Sequence, residues 1–223
     1  MSDFVAQSRF LAGIAAPDVH EILAAATLRR FHANAVVTRQ GTPATELFLI
    51  TKGRARHFYS TSDGQKILLL WLSQGEIFGG ATLLAEPSTY RVSTETLKET
   101  WALVWKRQTI RALADRYPRI KENALWIASD YLDWYVAAHI ALRCETAPQR
   151  LAGVLRSLAP VLGRSVPGGV ELDVTNEELA SAANITAFTT SRLLNEWQRH
   201  RALIKRRGRI VLLERRQLVT SIA

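Results

Sequence analysis

The chain lacks several features that would place it in a specialised class of protein. It has one cysteine in 223 residues, Cys144, so no internal disulfide can form, and we expect a reducing, cytoplasmic location. No run approaches about 18 uncharged apolar residues, the length needed to cross a membrane. We therefore expect no membrane span and no membrane partner. Residues 1–16 have no basic segment ahead of an apolar one, which disfavours a signal peptide.

Sequence motifs of common enzymes are also missing. The chain contains no Gly-x-Ser-x-Gly, no Walker loop and no paired carboxylates spaced for acid–base chemistry. The adjacent Glu177 and Glu178 are better explained as negative charge at a helix start, where the helix dipole favours it. We therefore expect that the chain is not an enzyme.

Acidic residues are fewer than basic ones, 20 against 29, which leaves a net charge of +9. Residues 184–223 hold nine basic and two acidic side chains, a net charge of +7, and the densest run is Lys205–Arg209. An isolated run of this kind indicates a solvated face. This run follows a predicted pair of helices, which favours a nucleic-acid partner.

The front half of the chain has the spacing of a compact β structure. After predicted helices over 8–13 and 17–30, glycines recur at 41, 53, 64 and 75. Short β-rich runs lie between or beyond them, at 46–50, 55–60, 67–72 and 100–106. Strands with turn signals every 8–12 residues indicate a sandwich or barrel.

A long uninterrupted helix is predicted from Arg119 to about Glu145. Apolar residues spaced by 3.5 form a seam that predicts a parallel two-helix dimer interface, namely Ile120, Ala124, Ile127, Tyr131, Trp134, Ala138 and Ala141. A second apolar stripe is predicted to cover the β structure, namely Leu125, Leu132, Val136 and Ile140. The alternative is a core helix without a partner.

The last third of the chain has the signals of a helix-turn-helix. After a predicted helix over 147–162 and a strand over 171–174, Thr175 and Glu178 have capping-box spacing. Asn184 is suited to end that helix and Thr186 to begin the next, over 187–200. Two helices joined by about three residues are typical of DNA-reading units, whose second helix enters the major groove.

Residues 203–212 predict a β-hairpin wing with a basic, Gly-containing tip, which would contact phosphates. Hydroxyls and arginine at the start of the second helix can bind phosphate or a guanine edge. The candidate DNA-binding residues are Thr175, Thr186, Phe188, Thr189, Thr190, Ser191, Arg192, Lys205, Arg206, Arg207 and Arg209.

Three features in this order, over residues 8–215, resemble the cyclic AMP receptor protein/FNR (Crp/Fnr) family. They are Gly41-x6-Phe48-x-Ile50-x-x-Gly53 with Gly75-Glu76-Ile77-Phe78-Gly79, the long helix, and the basic tail. The resemblance implies an α+β fold: an N-terminal cyclic-nucleotide-binding-like β-roll (jelly roll), a long dimerisation helix and a C-terminal winged helix-turn-helix. We expect the boundaries to be 1–117, 118–145 and 146–223.

The second helix of the pair matches the family's recognition helix in part. Ser191-Arg192-Leu193-Leu194 resembles it, and Arg192 falls at the family's base-contacting arginine, while Leu193, Leu194 and Trp197 would face the core. Ala187-Phe188 replaces the Arg-Glu pair of cyclic AMP receptor proteins, so the glutamate that reads cytosine is missing. Phe188 either contacts a thymine methyl or a sugar edge, or packs internally.

The resemblance also implies a nucleotide pocket, and this chain departs from its pattern. Phe78-Gly79-Gly80-Ala81 replaces Phe-Gly-Glu-Leu, Tyr90-Arg91 falls at the Arg-Ser pair, and Tyr135 and Val136 fall at the hydroxyls that touch the base. We therefore expect no cyclic AMP binding. An altered effector pocket would involve Trp71, Gly79, Gly80, Thr82, Tyr90, Arg91 and Tyr135.

Other family cofactors are not expected either. A single cysteine cannot hold an iron–sulfur cluster within one subunit. The five histidines show no paired spacing for haem or metal, and each is better explained as a surface or hydrogen-bonded side chain.

The sequence thus predicts a homodimeric, sequence-specific DNA-binding transcription regulator of the Crp/Fnr type, whose degenerate pocket senses another effector or none. Its expected partner is double-stranded DNA, with RNA polymerase and an unidentified small molecule as further candidates. The alternative is a small-molecule-binding sensor module that acts through protein contacts.

Overall fold

A computed structural model describes residues 8–206 and 208–213. The described residues form two compact units, and the division between them falls at Trp134 and Tyr135, inside one long helix. The sequence-based boundaries at 117 and 145 stay a prediction.

Eight strands of the first unit form two antiparallel four-stranded sheets. One sheet has the order β1 (Thr27–Phe31), β8 (Thr100–Lys106), β3 (Glu46–Lys52) and β6 (Ile77–Phe78). The other has the order β2 (Val36–Thr38), β7 (Ser93–Thr96), β4 (Ala55–Ser60) and β5 (Lys66–Leu72). The predicted β-roll is confirmed, and its four predicted strands correspond to β3, β4, β5 and β8.

Strand β3 is apolar on both faces because it separates two cores. Leu47 and Leu49 belong to one cluster, which also contains buried residues of the helices. Phe48 and Ile50 belong to a second cluster, enclosed by the sheets. Successive side chains of a strand point to opposite faces, so a continuous apolar run here supplies both clusters.

Three helices accompany these sheets: α1 (Ala16–Ala24), α2 (Arg107–Arg116) and α3 (Arg119–Cys144). Short 3₁₀ turns lie at Arg9–Leu11 and Gly80–Leu83. The predicted helix over 17–30 ends early, because residues from Thr27 onward pair with β8, as Leu28 does with Leu103. The predicted helix over 8–13 is only the first 3₁₀ turn.

The inward side of α3 differs from the predicted one. Ile120 and Ile127 are buried in the core of the first unit, and Ala124 and Tyr131 pack against it, although all four were assigned to a dimer seam. The Asn123 amide donates hydrogen bonds of 2.9 Å to two carbonyls of the 3₁₀ turn region, which fixes this orientation. This half of the predicted seam is therefore wrong.

The second apolar stripe of α3 is the exposed one. Leu125, Leu132, Val136 and Ile140 were predicted to cover the β structure, but they are 72, 61, 50 and 54% exposed. The remaining predicted seam residues, Trp134, Ala138 and Ala141, are half-buried. A helix with apolar residues on two sides can turn either side inward, and the tertiary packing selects one.

The second unit contains three helices, α4 (Ala147–Leu162), α5 (Asn176–Ala183) and α6 (Ala187–Arg199). Its sheet has the order β11 (Leu203–Arg206), β12 (Arg209–Leu212), β10 (Gly169–Leu172) and β9 (Arg164–Val166). The predicted wing is confirmed as β11 and β12. Strand β9, which the sequence analysis did not predict, forms a hairpin with β10.

Candidate nucleic-acid interface and internal cavity

The predicted caps define both ends of α5 and the start of α6. Thr175 Oγ1 accepts from the Glu178 backbone N–H at 3.2 Å, and the Glu178 carboxylate accepts from Thr175 N–H at 2.8 Å. Asn184 ends α5 in the left-handed region with φ 49°, and Thr186 caps α6 by accepting from Thr189 N–H at 3.0 Å. These local bonds position the second helix relative to the first.

Helix α6 has one buried face and one exposed face. Leu193, Leu194 and Trp197 are buried, as expected for the core face. Thr190 is also fully buried, and its hydroxyl donates to the Thr186 carbonyl at 3.1 Å. Thr190 is therefore not available to DNA, and its assignment as a DNA-binding residue is wrong.

The exposed face of α6 presents an aromatic ring and a guanidinium one helical turn apart. Phe188 is 79% exposed, which excludes internal packing within the described residues. Arg192 lies at i+4 from it, and its guanidinium is 3.9 Å from the Glu196 carboxylate, beyond hydrogen-bond distance. The Thr186 and Thr189 hydroxyls bond to each other at 2.9 Å. The side chains most open to a partner are therefore Phe188 and Arg192.

The wing lysine contacts the exposed face of α6. Lys205 Nζ lies 3.2 Å from Ser191 Oγ and 3.4 Å from Asn195 Oδ1, and the Lys205 N–H donates to Gln198 at 2.7 Å. Lys205 and Ser191 are thus joined in one polar surface. Arg206 is exposed, and Arg207 lies outside the described residues.

A buried carboxylate organises the base of the wing. The Glu171 carboxylate in β10 accepts from Arg164 at 2.7 Å and lies 3.6 Å from the Arg209 guanidinium. The Arg164 hydrogen bond holds the pKa of Glu171 below its usual value. The sequence analysis did not identify Glu171 or Arg164 as a pair, because β9 pairs with β10 and β10 pairs with wing strand β12 only in the tertiary structure.

Arg150 of α4 bonds the end of α5, a contact that the sequence analysis did not identify. Its guanidinium donates to the carbonyls of Ala183 at 2.8 Å, Glu145 at 2.7 Å and Asn184 at 3.3 Å. Of these acceptors, Ala183 is the last residue of α5 and Asn184 begins the turn to α6. Arg150 therefore fixes the turn that positions the exposed face of α6.

The first unit has a cavity of about 480 Å³ between the sheets and α3, and it is open to solvent beside exposed lining residues such as Arg91 and Leu125. Its lining includes Gly79, Gly80, Tyr90 and Arg91, as predicted for an effector pocket. Most of the other lining residues are apolar. A volume in this range suits a small molecule.

Three predicted pocket residues are not part of this lining. Trp71 is buried in β5, on another part of the sheet. Thr82 is fully buried, and its hydroxyl donates to the Gly79 carbonyl at 2.9 Å, so it holds the 3₁₀ turn together. Tyr135 belongs to the second unit. Assigning Trp71 and Thr82 to the cavity was wrong, and the assignment of Tyr135 stays a prediction.

The backbone at Gly79 needs a glycine for two reasons. Its φ of +84° lies in the left-handed region, and a Cβ there would lie 2.5 Å from the Glu46 carbonyl oxygen. The chain can therefore turn from β6 into the 3₁₀ segment directly beside β3.

Three hydrogen-bonded side chains form the polar wall of the cavity. Thr38 Oγ1 donates to Thr94 Oγ1 at 2.9 Å, and Thr94 Oγ1 lies 3.1 Å from His57 Nδ1. Burial lowers the pKa of His57 from 6.5 to about 4, and a hydrogen bond with the Ser93 backbone opposes it. His57 is consequently neutral at pH 7, and it is one of the internally bonded histidines that the sequence suggested.

The cavity has cationic side chains at its lining and no acidic ones. Arg91 is exposed and bonds Ser88 Oγ at 3.3 Å, while Lys121 pairs with the Asp115 carboxylate. Among the described residues that line the cavity, none is Asp or Glu. The Tyr90 hydroxyl is occupied, because it donates to the Glu46 carbonyl and accepts from the Glu46 N–H, both at 3.0 Å.

Helix α3 supplies a wall of the cavity, of which the sequence analysis predicted only that Leu125 covers the β structure. Lys121, Leu125 and Ala128 line it together with Ala124 and Tyr131, which had been assigned to the dimer seam. Lys121, Ala124, Leu125 and Ala128 have the i, i+3, i+4, i+7 spacing of a shared helix face, which the sequence displays.

No group of three or more His, Cys, Asp or Glu side chains among the described residues is arranged to hold a metal ion. No helix in the same residues has the length and apolar character to cross a membrane.

A β-roll with an open cavity and a winged helix-turn-helix define a two-domain DNA-binding regulator. The cyclic nucleotide-binding domain family matches residues 28–117, and the Crp-like helix-turn-helix domain family matches residues 149–220. The chain belongs to the Crp/Fnr family of transcription regulators.

Named relatives agree with this assignment. The anaerobic regulatory protein of Bacillus subtilis is 25% identical over 216 residues, which cover 92% of this chain and 88% of that protein. The cyclic AMP receptor protein of Thermus thermophilus is 27% identical over 184 residues, 82% of each chain. These relatives are named as regulators or receptors, not as enzymes.

Solved structures share the fold at lower identity. The c-di-GMP responsive global regulator CLP of Xanthomonas campestris has a TM-score of 0.77 at 23% identity, covering 90% of this chain and 100% of that one. FixK2 of Bradyrhizobium japonicum also has a TM-score of 0.77, at 21% identity, covering 89% and 98%.

Proposed function

We propose that this family member is a homodimeric, sequence-specific DNA-binding regulator that acts in the cytoplasm without catalysis, and whose degenerate cyclic-nucleotide pocket senses another effector or none. The observation that carries the proposal is the exposed face of α6, where Phe188 and Arg192 stand one turn apart beside a basic wing. RNA polymerase is a candidate partner for the regulatory step.

The start of α6 has the chemistry of a DNA-reading helix. A recognition helix contacts base edges with the residues of its first half, and arginine can pair with guanine O6 and N7. Arg192 is 60% exposed at its side chain and makes no closer contact than 3.9 Å with Glu196. Phe188 adds an apolar contact, which suits the thymine methyl group.

The wing supplies contacts that do not depend on sequence. Arg206 and Arg209 are exposed on the two strands of its hairpin. Arg209 shares the Glu171 carboxylate with Arg164, so its guanidinium is oriented before DNA binds. Such contacts add affinity that falls as salt rises.

The exposed apolar stripe of α3 supports dimerisation. Leu125, Leu132, Val136 and Ile140 follow one another at intervals of seven, four and four along a single helix. This is close to the 3.5-residue repeat with which two helices pack together, and large apolar side chains left in water favour such a partner. A second copy of α3 is the proposed partner, through this stripe instead of the seam first predicted.

The cavity supports a degenerate nucleotide pocket. Gly80 stands where the resemblance expects a glutamate for the ribose hydroxyl, and the Tyr90 hydroxyl is already occupied by backbone groups. A cyclic nucleotide would leave polar atoms without partners at about 1–3 kcal/mol each. Binding of a different effector therefore fits this cavity better than cyclic AMP.

Selection of bound sequences from random duplex DNA, with ligand-free protein at near-physiological salt, tests the proposal. An enriched two-fold symmetric site supports a dimer that is competent without effector. Salt-sensitive binding without an enriched site supports an effector-dependent switch, and the selection is then repeated with effectors. Absence of binding at low salt refutes the proposal and favours the alternative, a sensor module that acts through protein contacts.

Two variants separate base readout from phosphate contact. Arg192→Gln is expected to relax specificity at one base pair by about 1–3 kcal/mol. Arg209→Gln is expected to weaken all sequences alike and reduce the salt slope by about 1 per subunit. Arg156→Gln, an exposed charge on α4, is the matched control.

A further inference from the structure

The wall of the cavity is mainly apolar. Ile77, Phe78 and Val92 on the sheet side face Ala124, Leu125 and Ile127 of α3. An occupant gains about 25 cal/mol for each Å² of apolar surface that it buries against such a wall. The body of a well-matched ligand is therefore hydrocarbon.

Four polar side chains of the lining are already hydrogen-bonded within the protein. Thr38, Thr94 and His57 form one hydrogen-bonded chain, and the Tyr90 hydroxyl bonds twice to the Glu46 backbone. A ligand with several polar atoms, such as a ribose with a purine, would find few free partners for them.

The charge available to a ligand is a single cation at the lining. Arg91 is exposed and has no carboxylate partner among the described residues, whereas Lys121 is paired with Asp115. His57 is neutral at pH 7 because burial lowers its pKa to about 4, so the polar wall adds no second positive charge. The anion therefore belongs beside Arg91.

We infer that the cavity binds an amphipathic organic monoanion, a carboxylic acid with an aromatic or alkyl body, whose carboxylate bonds the Arg91 guanidinium while its body lies against α3. The inference rests on the proposed function, since it names the class of effector. The occupant would touch Leu125, which is both a lining residue and a member of the exposed stripe. Acid binding and packing of the stripe would thus share a side chain.

Calorimetric titration of the full chain tests the inference. The probes are two acids, phenylpropionate and octanoate, and the matching alcohols, phenylpropanol and octanol. Cyclic AMP is titrated for comparison. At least one acid is expected to bind about tenfold or more tightly than its own alcohol, a ratio equivalent to about 1.4 kcal/mol. Preference for one acid then distinguishes an aromatic from an alkyl effector.

Variants assign the effect to Arg91 and to the cavity. Arg91→Gln is expected to lower acid binding to the level of the alcohol and to leave the alcohol unchanged. Lys98→Gln, an exposed charge in the same unit that does not line the cavity, keeps the ratio. Ala128→Leu fills the cavity from an exposed helix position and weakens acid and alcohol alike.

Three results overturn the inference: equal binding of acid and alcohol, tighter binding of cyclic AMP than of both acids, or no acid binding up to about 1 mM. DNA binding is measured on the same preparations. If the wild-type protein binds DNA and gives any of these results, only the effector class is refuted. If the wild-type protein does not bind DNA at low salt, the proposed function is refuted.

Discussion

Phe188 is expected to read a thymine methyl group in the DNA half-site. Its ring is 79% exposed in the free chain, so contact with DNA is what would remove it from water. The methyl group of one thymine contributes about 0.8 kcal/mol when buried, which is about fourfold in affinity. A symmetric dimer contacts two half-sites, so replacing both thymines by deoxyuridine should weaken binding roughly fifteenfold.

The assay is fluorescence anisotropy with the selected site and with duplexes in which each thymine is replaced by deoxyuridine in turn. In the wild-type protein one symmetric position should be sensitive to loss of the methyl group. In Phe188→Ala that sensitivity should disappear, and thermal stability should stay within about 0.5 kcal/mol because the ring is exposed. The double-mutant cycle isolates the contact between ring and methyl group.

Two results would refute this reasoning. One is a wild-type protein that is insensitive to every thymine-to-deoxyuridine change. The other is a Phe188→Ala variant that keeps the full sensitivity, which would assign methyl readout to another side chain.

Three further predictions follow from the structure. Leu132→Asp should weaken dimerisation at least about a hundredfold in sedimentation, because each copy loses about 1.5–3 kcal/mol of apolar burial. The control Leu28→Asp on β1 should not weaken it, and equal effects of the two variants would refute the exposed stripe as the dimer interface. Arg150→Ala should raise hydrogen exchange in α5 by an amount equivalent to about 2 kcal/mol, with Arg156→Ala as control; unchanged exchange would contradict its role at the turn. The pKa of His57 is lowered from 6.5 to about 4, so the unfolded state binds a proton first as pH falls. The free energy of unfolding should therefore drop by about 2 kcal/mol between pH 6.5 and 5. A His57→Gln variant with the same drop would refute this.

Local chemistry was sufficient for the elements that depend on neighbouring residues. The capping box at Thr175, the left-handed Asn184 and the cap at Thr186 are each formed within a few residues of chain, so their spacing predicted the helix-turn-helix. The hairpin of β11 and β12 was predictable for the same reason, since its strands are adjacent.

Local sequence patterns could not predict the pairing of strands that are far apart in the chain. Residues from Thr27 onward continue a helical periodicity in sequence but pair with Val104 and its neighbours, more than 70 positions away. Glu171 likewise becomes the partner of Arg209 only when β10 pairs with β12.

By itself the sequence determined the order of the elements, the two-domain class and the helix pair with its wing, because caps, turns and alternation are local. The tertiary structure decided which apolar stripe of α3 faces inward and which side chains enclose the cavity. Ile120 and Leu125 are equally apolar, and only the position of the sheets and of the carbonyls bonded by Asn123 distinguishes them. The proposed dimer face and effector class both depend on that choice.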